Sequence, residues 1–138
     1  TAAHDVGRVI NRQGVLGQIY GGIVQGAGYA LMEDINLKQG VIRNLNLDEY
    51  LIPTSCDLPC ITPLIIENPD RVGPWGAKSI GEPAFELTAP AIANAVAQAT
   101  GRRLRDLPLD LEQVFLGRSL LEGREERGSF SRGAQHDT

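Results

Sequence analysis

The stretch from about Val15 to Glu33 carries an apolar repeat suited to a helix, together with glycines that a helix ordinarily avoids. Leu16, Ile19, Ile23, Ala27, Ala30 and Leu31 recur at three- and four-residue spacing, which gathers them on one stripe of an α-helix. Among them stand Gly17, Gly21, Gly22, Gly26 and Gly28. Each interior glycine costs about 1 kcal/mol relative to alanine. A helix that keeps so many needs something close against its backbone, either another helix or a flat ligand. Gln18 and Gln25 lie two turns apart on one face. Their amides can donate to and accept from a polar ligand, or they can simply face water. These glutamines, and the lack of a basic flank, argue against a membrane helix.

A second stretch is equally unusual: Gly76-Ala77-Lys78-Ser79-Ile80-Gly81-Glu82-Pro83-Ala84. Two glycines bracket a short polar loop, and a carboxylate stands directly before a proline. An alanine-rich helical pattern follows. Proline is favoured at the first helical position, where its missing N–H is not needed. Glu82 is therefore expected at or beside the helix N-cap, facing free N–H groups and the positive end of the helix dipole. A carboxylate held there and kept ionised suits a general base or a ligand anchor. It equally suits an ordinary capped helix start. The residues alone leave both readings open.

Other features narrow the class. A net charge of −4, with no like-charge block in the body of the chain, argues against nucleic acid as a partner, because phosphate binding needs a basic face. No run of about 20 apolar residues reads as a membrane span, and no signal peptide is visible. A cytoplasmic location is expected, with the periplasm kept open. The chain opens on Thr1, followed by Ala2-Ala3-His4-Asp5-Val6-Gly7, rather than on methionine, and it is expected to be a fragment or a processed piece. Cys56 and Cys60 are too few for a disulfide framework and lack the further ligands of a structural zinc site, so two free thiols are expected. His4 and Asp5 are neighbours in a strand and point to opposite faces, so no shared constellation is expected of them.

The expected fold class is α+β, with two main helices near 13–33 and 83–100 packed on a small mixed sheet. Its strands are expected near 4–10, 35–43, 61–67 and 103–106. Asn11-Arg12-Gln13-Gly14 reads as a turn, and Lys38-Gln39-Gly40 as a hairpin loop. Pro90 is expected to kink the second helix or to mark a second start, with Thr88 as its cap. Gly101 reads as a helix stop. A short helix over 110–116, with Asp110 as N-cap and Gly117 as stop, is expected to close one edge. Residues 1–117 form the folded part, and 118–138 is expected to be a disordered tail.

Three segments in order then carry a resemblance. His4-Asp5-Val6-Gly7-Arg8-Val9-Ile10-Asn11 is followed by Gly17-Gln18-Ile19-Tyr20-Gly21-Gly22-Ile23-Val24-Gln25-Gly26, and later by Gly76-Ala77-Lys78-Ser79-Ile80-Gly81-Glu82-Pro83. Together they resemble the C-terminal part of the molybdenum-binding subunit of the xanthine dehydrogenase/aldehyde oxidase family of molybdenum hydroxylases, over residues 2 to 117. The resemblance implies a portion of a larger molybdopterin-binding domain. It also implies oxidation of a heterocycle (purine-like) or an aldehyde with water as the oxygen source. Glu82 takes the position of the family's general base. Gln18 takes that of a glutamine that approaches the pterin, and backbone amides of Ala77, Lys78, Ser79, Ile80 and Gly81 line the cofactor. The implied cofactor is a molybdopterin-type molybdenum cofactor, with the cytosine dinucleotide form as one option. No side chain of this chain is expected to ligate the metal.

Implied partners are the rest of the molybdenum subunit, a small-molecule substrate, and iron–sulfur and flavin (FAD) parts that carry electrons away. Two departures stand out: Arg12 where the family often has proline, and Ser79 where glycine is common. The family's subunit is several times longer, so the isolated chain is expected to be inactive. The alternative is a non-catalytic fragment or interaction domain in which Glu82 only caps a helix.

Overall fold

The glycine-laced stretch forms the longest helix, and the other elements are laid along it. The computed structural model describes residues 1–116, so the expectations for Gly117 and the tail 118–138 lie outside the described residues. In chain order the elements are β1 (Ala2–Asp5), α1 (Arg12–Leu31), β2 (Leu37–Lys38), β3 (Val41–Ile42), β4 (Pro63–Ile66), α2 (Pro83–Glu86), α3 (Thr88–Thr100) and α4 (Leu111–Leu116). The α+β class holds, and so do the two main helical regions.

The expected turn at Asn11 is instead a cap. Asn11 is extended, and its side-chain oxygen accepts a hydrogen bond from the Gly14 N–H at 3.0 Å, satisfying one of the free donors of the first turn. At its buried face α1 packs on α2 and α3. A methyl group on Gly22 would sit 2.7 Å from Ala84 Cβ and 2.8 Å from its carbonyl carbon, and one on Gly26 would sit 2.5 Å from Thr88 Cβ. Such distances are far inside ordinary contact, so glycine is what lets these helices approach. Gly28 likewise has Pro53 and Glu33 against it. Ile19, Ala30, Ala84 and Ala89 are buried along this seam.

The second helical region divides at Leu87. Thr88 is the first residue of α3 rather than its cap, and its hydroxyl bonds back to the Ala84 carbonyl. Pro90 sits in the first turn of α3, where no N–H is required. Gly101 ends α3 in the left-handed conformation (φ 71°), its N–H bonded to the Ala97 carbonyl, as expected of a helix stop. Asp110 caps α4 through the Glu112 N–H.

The expected single sheet divides into two. β1 pairs in parallel with β4, Ala2 opposite Pro63 and Asp5 opposite Ile66. β2 and β3 form a separate antiparallel hairpin, turned by Gln39 and Gly40 at positive φ. Residues 103–106 form no strand. Arg103 reaches Asn94 on α3, Arg102 donates to the carbonyls of Val114 and Phe115 on α4, and the Leu109 N–H bonds to the Ala30 carbonyl at the end of α1. That segment is thus used as a strap across helix ends, and α4 is tied to Arg102 rather than to a sheet edge.

The core is small. Among the described residues the fully buried large side chains are Ile19 and Val6, whereas Val72, Trp75, Leu87 and Phe115 are each at least 70% exposed. An independent domain seldom leaves so much apolar surface uncovered. Among the described residues, no helix is long and apolar enough to cross a membrane.

Candidate functional site

β1 aims its chain end at the loop that precedes Glu82. Beyond Asp5, the Val6 N–H still bonds to the Ile66 carbonyl, and then the strand changes partner. The Arg8 N–H donates to the Gly76 carbonyl at 2.8 Å, and the Lys78 N–H donates to the Val6 carbonyl at 2.9 Å. Gly7 lies between these two bonds at φ 67°. A side chain there would run into the Gly76 carbonyl oxygen, so both the backbone angle and the close approach demand glycine.

Side chains reinforce this junction. Lys78 Nζ lies 2.6 Å from Asp5 Oδ2, and Asp5 Oδ1 accepts from the Gly7 N–H at 3.0 Å. The Lys78 ammonium, followed by the Gly7 N–H, holds the Asp5 carboxyl below its ordinary range. Just upstream, Asp70 Oδ1 accepts from the Val72 and Gly73 N–H groups, which lowers its pKa as well, the Gly73 bond contributing most. The turn this builds carries Trp75 at φ 51°, a residue that is 80% exposed.

Past Lys78 the anchoring stops. Ala77 and Lys78 have their N–H groups committed, to the carbonyls of Pro74 and Val6. Among the described residues, no hydrogen bond engages the N–H groups of Ser79, Ile80 and Gly81. Glu82 stands at the cap position of α2, and Pro83 is the first helical residue, as the sequence predicts. Its carbonyl already takes part in the helix, accepting from Phe85 and Glu86. Its side chain is exposed and makes no capping hydrogen bond. The carboxylate therefore does not do the one thing that an ordinary capped helix start would ask of it.

Gln18 is exposed on α1. Gly22 lies against Ala84 and Gly26 against Thr88, so successive turns of α1 meet α2 and then the start of α3. Gln18 lies one turn before Gly22 in the same row of α1. Gly17 and Gly21 lie in a different row of α1 from Gly22 and Gly26, and nothing lies within 4 Å of where their side chains would begin. No contact among the described residues accounts for these two glycines.

His4 is half-buried with Nε2 enclosed and without a hydrogen-bond partner, while Asp5 is exposed on the other side of β1. The two do not form one constellation, in line with strand alternation. Cys56 and Cys60 are exposed free thiols. Among the described residues, no group of three or more His, Cys, Asp or Glu side chains could hold a metal ion. Sequence reasoning missed Asp5 as the partner of Lys78. The only sequence signal was opposite charge in two of the three quoted motifs, 73 positions apart.

Comparison with known proteins gives a consistent picture. Residues 1–59 match the molybdopterin cofactor-binding domain family, a span that includes Gln18 and stops short of Glu82. A putative xanthine dehydrogenase molybdenum-binding subunit of Escherichia coli K12 is 40% identical over 114 residues, covering 81% of this chain and 15% of that protein. Quinoline 2-oxidoreductase from Pseudomonas putida 86 superposes with a TM-score of 0.76 at 33% identity, covering 83% of this chain and 15% of that one. The aldehyde oxidoreductase of Desulfovibrio desulfuricans gives 0.75 at 36% identity, over 83% of this chain and 12% of that one. The chain thus spans about 15% of the length of the curated relative it matches.

Proposed function

The chain belongs to the family of the molybdenum-binding subunits of xanthine dehydrogenases and aldehyde oxidoreductases, and from that premise we propose that it supplies one wall of a molybdenum hydroxylase active site. In this reading the Gln18 amide and the N–H groups of Ser79, Ile80 and Gly81 hold a molybdopterin-type cofactor, in its plain or cytosine dinucleotide form. Ala77 and Lys78 shape the loop that presents them. Bound there, the cofactor supplies a molybdenum centre able to take two electrons from a substrate carbon. Glu82 is the general base: its unpaired carboxylate oxygens accept a proton from a water or hydroxyl placed before the loop. The substrate is a heterocycle, purine-like, or an aldehyde.

Two observations support the fit of such a group. Three adjacent N–H donors at the loop end have no partner among the described residues, and backbone donors left unpaired are open to a polar or anionic ligand. On α1, Gly17 and Gly21 leave the backbone bare where nothing in the described chain needs it bare. The observation that carries the base assignment is the missing cap bond of Glu82. The competing reading, in which Glu82 only caps a helix, lacks the hydrogen bond that defines it.

The rest of the molybdenum subunit completes the pocket, and iron–sulfur and flavin parts take the electrons, so the isolated chain is inactive. The test is Glu82→Gln in the intact subunit, with molybdenum content measured alongside turnover. The variant keeps its molybdenum and loses about 10²–10⁴-fold in kcat, the usual contribution of a positioned base. Wild-type turnover at full molybdenum content would overturn the assignment.

A further inference from the structure

We propose that Asp5 is a positioning residue for the Glu82 loop, acting through its ion pair with Lys78. The inference rests on the reading of Glu82 as the base. The loop from Lys78 to Glu82 is fixed at two points. One is the start of α2 at Pro83; the other is Lys78, where the N–H bonds to the Val6 carbonyl and the ammonium meets Asp5 at 2.6 Å. Between these points Ser79, Ile80 and Gly81 have no internal hydrogen bond among the described residues. Any play at Lys78 therefore passes directly into the three free donors and the carboxylate that follows.

Asp5 is well suited to remove that play. Its two oxygens divide the work, one on Lys78 Nζ and the other on the Gly7 N–H, so a single side chain ties both strands of the junction. Asp5 is itself the last residue of β1 and is paired with Ile66 of β4, which gives the tie a fixed base. Both partners of the ion pair remain about one-third exposed, and pairs of that kind contribute little to overall stability. The effect belongs to local order and to reaction geometry, where a displacement of about 1 Å can cost about 10²-fold in rate.

The experiment compares Asp5→Asn, Lys78→Met and the charge-exchanged pair Asp5→Lys with Lys78→Asp in the intact molybdenum subunit. Each is assayed for kcat, KM, molybdenum content and amide hydrogen exchange over residues 77–82. Asp5→Asn retains a side chain able to bond the Gly7 N–H, so it tests the charge. The single variants are expected to raise exchange at Lys78 and to lower kcat about 10- to 100-fold with KM nearly unchanged. The charge-exchanged pair recovers part of both. Wild-type exchange and kcat in both single variants would overturn the proposal, as would a loss that the exchanged pair does not recover at all. If Glu82→Gln proved silent while the Asp5 variants still loosened residues 77–82, the base assignment would fall and the clamp would stand.

Discussion

The two faces of α1 use glycine for opposite reasons. On the face toward α2 and α3, Gly22 and Gly26 are explained by contacts within the chain: Ala84, Phe85 and Thr88 occupy the space a side chain would need. Away from that face, Gly17 and Gly21 look onto open space. The helix bears the same propensity cost at each of these four positions, about 1 kcal/mol each, yet of the four only Gly22 and Gly26 recover it through packing among the described residues. A requirement that is visible in the sequence but unmet within the described residues points to something that arrives from outside. In our reading that something is the cofactor.

One substitution applied to both faces can break this contrast. Gly22→Ala and Gly26→Ala force a methyl group against backbone and Cβ atoms. They are expected to destabilise the intact subunit by about 1–3 kcal/mol, the usual range for overpacking, as measured by denaturant unfolding. Gly17→Ala and Gly21→Ala are expected to do the reverse in cofactor-free protein, stabilising it by up to about 1 kcal/mol each through helix propensity. In loaded protein the same two variants are expected to lower the molybdenum bound per polypeptide. Equal destabilisation on both faces would mean that the open face is covered by polypeptide rather than by cofactor. No change in molybdenum content would separate that face from the cofactor altogether.

Local pattern made much of this legible in the sequence. The apolar spacing from Leu16 to Leu31 located α1, Pro83 marked the start of α2, Gly101 the end of α3, and Gln39-Gly40 the hairpin turn. Each of these is decided by residues within one or two turns of chain. Pairings between distant segments were not legible. The propensity of residues 61–67 gives β4 but not its parallel partner, and nothing local tells 103–106 to strap helix ends instead of joining a sheet. Asn11 read as a turn because a cap and a turn draw on the same residue types. The candidate site shows the same division. Glu82, Gln18 and the loop were singled out from motifs, whereas the Asp5–Lys78 tie needed the junction of β1 with Gly76–Lys78 to bring the charges together. That Ala77 and Lys78 spend their N–H groups inside the chain, while those of Ser79, Ile80 and Gly81 have no partner among the described residues, is likewise a fact of that junction.

The most direct test of the cofactor wall is an experimental structure of the intact molybdenum subunit with its cofactor bound. The expected result places the N–H groups of Ser79, Ile80 and Gly81, and the Gln18 amide, within about 3.2 Å of cofactor or cofactor-bound polar atoms. Gly17 and Gly21 would face the same group, and Glu82 would remain uncapped. A structure in which polypeptide fills the space before Gly17 and Gly21, and takes those loop donors, would contradict the account.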